Sequence, residues 1–194
     1  GLAYEIKKYR RNAEFRAPKE LRNAHPLGRA PVVEVDGHVL AESGAMIEYF
    51  AARLASLRPK DGAALMEYRF FLHYAEGSAM PPLLVQLLAD TINDKTPLLA
   101  KPMVGLITKG IESAYSGPAI KLHFGFVNDT LGKRPYFAGD EFSGADIQMG
   151  FAIEAALSRG KGNWPNNKDW QKRMAERPAN KVALEKGGPA RPTP

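Results

Sequence analysis

Between Gly28 and Phe50 the chain reads GRAPVVEVDGHVLAESGAMIEYF, and no other stretch restricts the fold as much. Pro31 opens the β-prone run Val32-Val33-Glu34-Val35, and the first position of a strand is one of the few places in a sheet that tolerates proline. Asp36-Gly37 follows. An Asp-Gly pair between two apolar runs is the strongest short-range hairpin signal, because both central residues of the favoured turn take positive φ. The segment His38-Val39-Leu40-Ala41 then returns antiparallel. Ser43 next starts a helix whose apolar positions Ala45, Met46, Tyr49, Phe50 and Leu54 recur at helical spacing. The expectation is a two-stranded antiparallel hairpin that feeds directly into a helix.

Two places in this run carry chemistry as well as structure. An X-Pro bond such as Ala30-Pro31 takes the cis form at small cost. Proline at a strand entrance also leaves the preceding residue's N–H and C=O free to pair with an extended peptide. The plain alternative is a trans proline at a strand edge. Ser43 at a helix start is the usual N-cap. The same place presents outward N–H groups and the positive end of the helix dipole to a ligand carboxylate. Glu42 beside it suits a ligand ammonium. An acid and an anion hole side by side match the head of an α-amino acid, which carries both charges. Arg29 either meets a second carboxylate or is an ordinary surface arginine.

Composition narrows the chemistry. The 194 residues hold no cysteine, which excludes disulfides, thiolate metal sites and a cysteine nucleophile within them. Any thiol chemistry must use a thiol that arrives with the ligand. The net charge of +6 raises nucleic acid as a partner, but the basic residues are scattered and the cluster Lys7, Lys8, Arg10, Arg11 is short. No nucleic-acid module is recognisable, and a modest positive field favours anionic small ligands instead. No apolar run approaches the roughly 20 residues that cross a bilayer, and GLAYEIKKYRR does not have the order of a secretory signal. These features point to a cytoplasmic protein with no membrane or nucleic-acid partner. The four histidines, His25, His38, His73 and His123, are dispersed, and no metal site is expected.

Residues 3–9 alternate apolar and polar, which predicts a strand, and residues 18–24 predict a short helix with Pro18 at its first turn. The text changes at SLRPKDG, residues 56–62. Beyond it no strand is predicted. Helices are expected over 62–93, with a kink at Pro81-Pro82, and over 98–132, with an interruption at Gly117-Pro118. Three shorter ones follow over 143–158, 167–176 and 178–186. The fold class is therefore α/β followed by all-α. Residues 1–56 form the α/β domain, 62–187 the helical domain, and 188–194 (GPARPTP) a disordered tail. One strand, one short helix and a hairpin make a thin sheet with no second layer, as though a preceding strand and helix were missing.

The joint spacing of Arg29, Ala30-Pro31 and Glu42-Ser43 resembles the second half of the thioredoxin-like domain of glutathione transferases. In that family a cis-proline precedes the strand, the residue before it pairs backbone to backbone with the cysteinyl part of glutathione, and an acid–serine pair holds the γ-glutamyl head. The resemblance gives Ala30 and Pro31 the first role and Glu42 and Ser43 the second. It places Arg29 near the glycyl end. It extends to HYAEGSAMPPLL, which is similar to the first long helix of the fungal and bacterial branch related to the yeast-type enzymes, and to RPYFAGDEFSGADIQMGF and the terminal helices. Ser143 and Asp146 form a capping-box variant there, a structural cap on a buried helix. Ile147, Phe151 and Ile153 to Leu157 are expected to supply that helix's buried face.

The resemblance implies a thioredoxin-like domain, incomplete at its N-terminal side, and an all-helical C-terminal domain. It implies glutathione as co-substrate and a homodimer with the helix of 62–93 at the interface. It implies transfer of the glutathione thiolate to a small apolar electrophile, with peroxide reduction by the same thiolate. Tyr74 and Ser78 are candidates for the substrate-facing wall. The family's activating hydroxyl precedes the strand read at 3–9, so the catalytic residue is unassigned, and Tyr4 and Tyr9 do not replace it. The alternative reading is a non-catalytic glutathione-binding or scaffold protein on the same fold.

Overall fold

In a computed structural model, Val33–Val35 (β1) and His38–Leu40 (β2) pair antiparallel, with Val33 opposite Leu40 and Val35 opposite His38. Asp36 and Gly37 both hold positive φ, 50° and 76°, which is the two-residue turn their identities predict. The structure describes residues 2–10, 12, 17–159 and 162–188. The chain divides into two compact units, Gly1–Arg53 and Leu54–Pro194.

In the first unit, a single helical turn, Leu21–Ala24 (α1), is entered from Pro18, whose carbonyl accepts the Leu21 N–H. Helix α2, Ser43–Arg53, follows β2 and buries Met46 and Ala51, while Tyr49 and Phe50 are half-buried and Ala45 is exposed. The Asp36 carboxylate at the hairpin turn accepts hydrogen bonds from Tyr49 Oη (3.1 Å) and Arg53 Nη2 (2.8 Å), and the Arg53 guanidinium stacks 4.1 Å from the Tyr49 ring centre. These bonds fix the C-terminal half of α2 to the closed end of the hairpin. The Arg53 bond, then the Tyr49 bond, holds the Asp36 carboxyl below its ordinary pKa. The strand expected over residues 3–9 is not formed. Residues 2–10 lie in no ladder, and Leu2, Tyr4, Ile6 and Tyr9 are exposed. Alternating polarity makes a strand only where a neighbouring strand satisfies its backbone groups, and none among the described residues does.

Two long helical rods dominate the second unit. The first comprises Gly62–Tyr74 (α3), a π turn Ala75–Ala79, and Met80–Lys95 (α4). The second starts with a 3₁₀ turn at Leu98–Ala100 and comprises Lys101–Ile111 (α5), a π turn Glu112–Ser116, and Gly117–Leu131 (α6). Each π turn directly precedes a proline-bearing first turn, Pro81-Pro82 in α4 and Pro118 in α6. Proline lacks an N–H and crowds the carbonyl four residues back, and widening one turn to an i→i+5 bond accommodates it. Met80 N–H accordingly bonds Ala75 O, and Gly117 N–H bonds Glu112 O. The interruption expected at Gly117-Pro118 is thus a widened turn in a continuous helix. Only glycine fits at 117, because a Cβ there would lie 2.8 Å from the Glu112 carbonyl oxygen. Ser116 Oγ donates 2.7 Å to Gln86 Oε1, buried between the two rods.

Gly144–Arg159 (α7), Pro165–Glu176 (α8) and Pro178–Gly187 (α9) complete the described helices. Helix α7 packs against α3, α4 and α8. It buries Ala145, Asp146, Gln148, Met149, Ala152, Ile153 and Ala156. Ile147 and Phe151, expected in this face, are 46% and 49% exposed. Asp146 faces inward, and that phase turns the i, i+4 pair Ile147 and Phe151 outward. Trp164, Phe124, Ile120, Leu83 and Ala79 join Ala152 and Ala156 in one core cluster. Around Asp146 a second set gathers: Phe137, Phe71 and Trp170. Asn128 supplies the entry to α8, its Oδ1 accepting the Asn166 N–H at 3.0 Å. Of the tail 188–194, all but Gly188 lies outside the described residues. Among the described residues no helix is long and apolar enough to cross a membrane.

Candidate functional site

The open end of the hairpin carries one candidate group on each arm. On the arm entering β1 stand Arg29, Ala30 and Pro31, all exposed, with the Ala30–Pro31 peptide cis. Ala30's N–H and C=O lie outside the β1–β2 ladder. On the arm leaving β2 stand Glu42 and Ser43. Glu42 is exposed and sits at φ 71°, a left-handed conformation that costs a non-glycine residue on the order of 1 kcal/mol. Its carbonyl accepts the Met46 N–H at 3.1 Å, the first i→i+4 bond of α2. Glu42 therefore holds the cap position and Ser43 is the first helical residue, one place later than Ser43's expected role as N-cap. By helix geometry the N–H groups of Ser43, Gly44 and Ala45 precede the first intrahelical donor, at the positive end of the dipole.

Chemically this is a place for a zwitterion. The first turn of α2 offers N–H donors to a carboxylate, and Glu42, the residue just before that turn, carries an acceptor for an ammonium. The free backbone edge at Ala30 offers one donor and one acceptor to an extended peptide. The Asp36–Tyr49–Arg53 ties at the far end of the hairpin set the direction of α2, and so the aim of its N-terminus, from about three helical turns away.

The remaining candidates lie in the helical unit. Tyr74 ends α3, is half-buried, and its hydroxyl is 2.6 Å from His123 Nδ1 on α6. Burial pushes the Tyr74 phenol up to about 12 and pulls His123 below its ordinary value, so both groups are neutral near pH 7. Phe70, Phe71 and Phe126 pack around the Tyr74 ring. His123, set aside in the sequence as one of four dispersed histidines, carried no signal of this pairing, because its partner lies 49 residues away. Ser78 is half-buried within the first π turn.

Asp146 is 1% exposed and accepts four hydrogen bonds: Ser143 N–H (2.9 Å) and Ser143 Oγ (3.0 Å) on Oδ2, Phe137 N–H (3.1 Å) and Trp170 Nε1 (3.3 Å) on Oδ1. Burial raises its pKa and the four donors oppose that rise. This carboxylate joins the start of α7, the Tyr136–Gly139 turn and α8.

A family model described as the glutathione S-transferase N-terminal domain matches residues 1–52, and one described as its C-terminal domain matches residues 102–178. Glutathione S-transferase 3 of Schizosaccharomyces pombe is 34% identical over 190 residues, covering 95% of this chain and 78% of its own length. Glutathione S-transferase 1 of Saccharomyces cerevisiae is 32% identical over 200 residues, covering 96% and 86%. Among solved structures, a glutathione S-transferase from Actinobacillus pleuropneumoniae superposes with a TM-score of 0.73 at 26% identity over 95% of this chain and 81% of that one. A sphingomonad glutathione S-transferase complexed with glutathione gives 0.67 at 19% identity over 90% and 83%, a likeness of fold. With the thioredoxin-like hairpin and helix, the all-helical unit and two yeast relatives above 30% identity in agreement, the chain belongs to the glutathione S-transferase family.

Proposed function

We propose that this protein binds glutathione at the open end of the β1–β2 hairpin and transfers its thiolate to a small apolar electrophile. The observation that carries the reading is Glu42, held at φ 71° as the cap of α2, so that an acidic residue immediately precedes the helix's first N–H groups. The γ-glutamyl carboxylate takes the N–H groups of the first turn and Glu42 takes the ammonium. The cysteinyl part pairs with the backbone of Ala30, beside Pro31, and Arg29 takes the glycyl carboxylate. The sphingomonad neighbour, solved with glutathione, supports this co-substrate.

None of the 194 residues is a cysteine, and the proposed sulfur nucleophile is the thiolate of the co-substrate. In a substitution the thiolate sulfur forms a bond to carbon and the leaving group departs with the bonding pair. In an addition the pair moves onto the electrophile, which then takes a proton. In peroxide reduction the thiolate attacks a peroxide oxygen, the O–O bond breaks and the alcohol leaves, and a second glutathione converts the sulfenic acid so formed into the disulfide and water. Tyr74 and Ser78 are proposed for the wall that holds the electrophile, and no residue of this chain is assigned to activate the sulfur. Homodimerisation is proposed through the outer stripes of α4 (Leu84, Leu88, Ile92) and α5 (Met103, Leu106, Ile107), which are more than half exposed. Rows of large exposed apolar groups commonly mark an interface.

Calorimetric titration with glutathione tests the site. Glu42→Ala and Ser43→Ala should each weaken binding about tenfold, or ~1.4 kcal/mol, while the melting temperature stays within a few degrees of the parent. Matched losses of binding and stability would reduce the pair to a helix cap, and failure of the parent protein to bind glutathione would sink the proposal. Turnover of 1-chloro-2,4-dinitrobenzene separates an enzyme from a glutathione-binding scaffold.

A further inference from the structure

None of the residues proposed to touch glutathione lies at the closed end of the hairpin, where the Asp36 carboxylate accepts from Tyr49 Oη at 3.1 Å and from Arg53 Nη2 at 2.8 Å. The Arg53 guanidinium lies 4.1 Å from the Tyr49 ring centre. Tyr49 and Arg53 are one turn apart on one face of α2, so a single hairpin residue holds both. Asp36 stands at φ 50°, a conformation that Asp and Asn accept more readily than other side chains. Apolar packing does little to hold α2. Among the described residues of this unit, Leu21, Met46 and Ala51 are the buried ones, and each strand is three residues long. The start of α2 is joined to β2 through Ala41 and Glu42 and acts as a pivot. The rise from Ser43 to Arg53 is about 15 Å, so a swing of about 4 Å at Arg53 turns the first-turn N–H groups by about 15°. Binding groups must stay within roughly 10–20° of their productive geometry.

We propose that Asp36, Tyr49 and Arg53 are positioning residues for the glutathione site, a clamp that fixes the tilt of α2 and so tunes the affinity for the γ-glutamyl carboxylate without touching it. This role rests on the proposed binding of glutathione at the start of α2. Without the clamp α2 samples several tilts, and the apparent affinity falls with the fraction of time spent in the competent one. The clamp's own strength bounds the effect. Exposed ion pairs are weak, which limits the loss to about threefold to fivefold.

Calorimetric titration with glutathione, in dilute buffer and well below the melting temperature, tests the clamp in Asp36→Asn, Arg53→Gln, the double variant and Tyr49→Phe. Asparagine keeps the turn and removes the charge. Asp36→Asn raises the net charge by one and Arg53→Gln lowers it by one, so a long-range field would move the affinity for anionic glutathione in opposite directions. Loss of the clamp moves both the same way. The expected result is about threefold to fivefold weaker binding in Asp36→Asn and in Arg53→Gln, with no further loss in the double variant. The parent's advantage should shrink as salt is added. Tyr49→Phe keeps the Arg53 bond and should lose about twofold. Melting temperatures should stay within a few degrees of the parent, so that the losses do not come from unfolding. Three results overturn the clamp and leave the glutathione site standing: opposite shifts in Asp36→Asn and Arg53→Gln, unchanged binding in both, or losses that multiply in the double variant. Failure of the parent to bind glutathione overturns both.

Discussion

Replacing Asp146 with alanine should unfold the helical unit more readily without changing any residue of the proposed glutathione site. The carboxylate is 1% exposed and is the acceptor for three N–H groups whose positions are fixed, those of Ser143, Phe137 and Trp170 Nε1. The Ser143 hydroxyl, its fourth donor, can rotate to another acceptor. Each stranded buried donor costs ~1–2 kcal/mol, and removing a buried carboxylate returns part of that sum, so the net loss is about 3 kcal/mol. Against a total stability of roughly 5–15 kcal/mol this is large, and at ~2–4 °C per kcal/mol it lowers the melting temperature by about 6–12 °C. Urea unfolding followed by tryptophan emission measures it, with Trp170 reporting from the site of the change. The Asp146→Asn variant adds a pH test. Burial is the leading influence and raises the folded pKa, so the folded state holds this proton more tightly than the unfolded chain does. The stability from Asp146 is then full below the ordinary aspartate pKa and falls as pH rises through the folded value. The parent's advantage over Asp146→Asn should therefore narrow on going from acid toward that higher pH. A loss below ~1 kcal/mol in Asp146→Ala, or a selective loss of turnover at full stability, would refute the structural reading.

Tyr74 and His123 predict two further limbs in the pH–stability profile. The Tyr74 phenol rises from 10.0 to about 12 on folding, so its contribution is full below pH 10 and is lost as pH rises through 12; Tyr74→Phe should flatten that alkaline limb in denaturant titrations. His123 is depressed by burial, so its contribution is full above its ordinary 6.5 and is lost as pH falls through the lower folded value. For the proposed dimer, Leu88→Glu with Leu106→Glu places charges on the exposed stripes of α4 and α5, and sedimentation should show monomers with the helical content retained. Unchanged dimers would move the interface off these faces.

What the sequence made legible followed local rules. Asp36-Gly37 specifies its own turn, because few other pairs adopt φ of 50° and 76° together. The Ser143 and Asp146 pair is three residues apart and can be read as a cap, but its bonds to Phe137 and Trp170 span 9 and 24 residues and cannot. Distance along the chain also hid the Tyr74–His123 pair. The pattern at residues 3–9 described a surface suited to a sheet, while strand formation depends on a neighbour. Hydrophobicity alone points Ile147 and Phe151 at the core, whereas the inward turn of the charged Asp146 sets the phase of α7.

The widened turns are the most instructive of these differences, since proline reads as an ending and here the helix continues. The sign of one substitution tests this. In an ordinary α-helix, Gly→Ala stabilises by ~1 kcal/mol, because glycine loses more backbone freedom on folding. At Gly117 the added Cβ would meet the Glu112 carbonyl oxygen at 2.8 Å, an atom held by the i→i+5 bond itself. Overpacking against rigid backbone costs ~1–3 kcal/mol, which outweighs the propensity gain. Gly117→Ala should therefore destabilise by about 1 kcal/mol or more and disturb the adjacent Ser116–Gln86 bond between the rods. A gain of stability would mean that residues 112–117 run as plain α-helix, without the i→i+5 bond from Gly117 to Glu112.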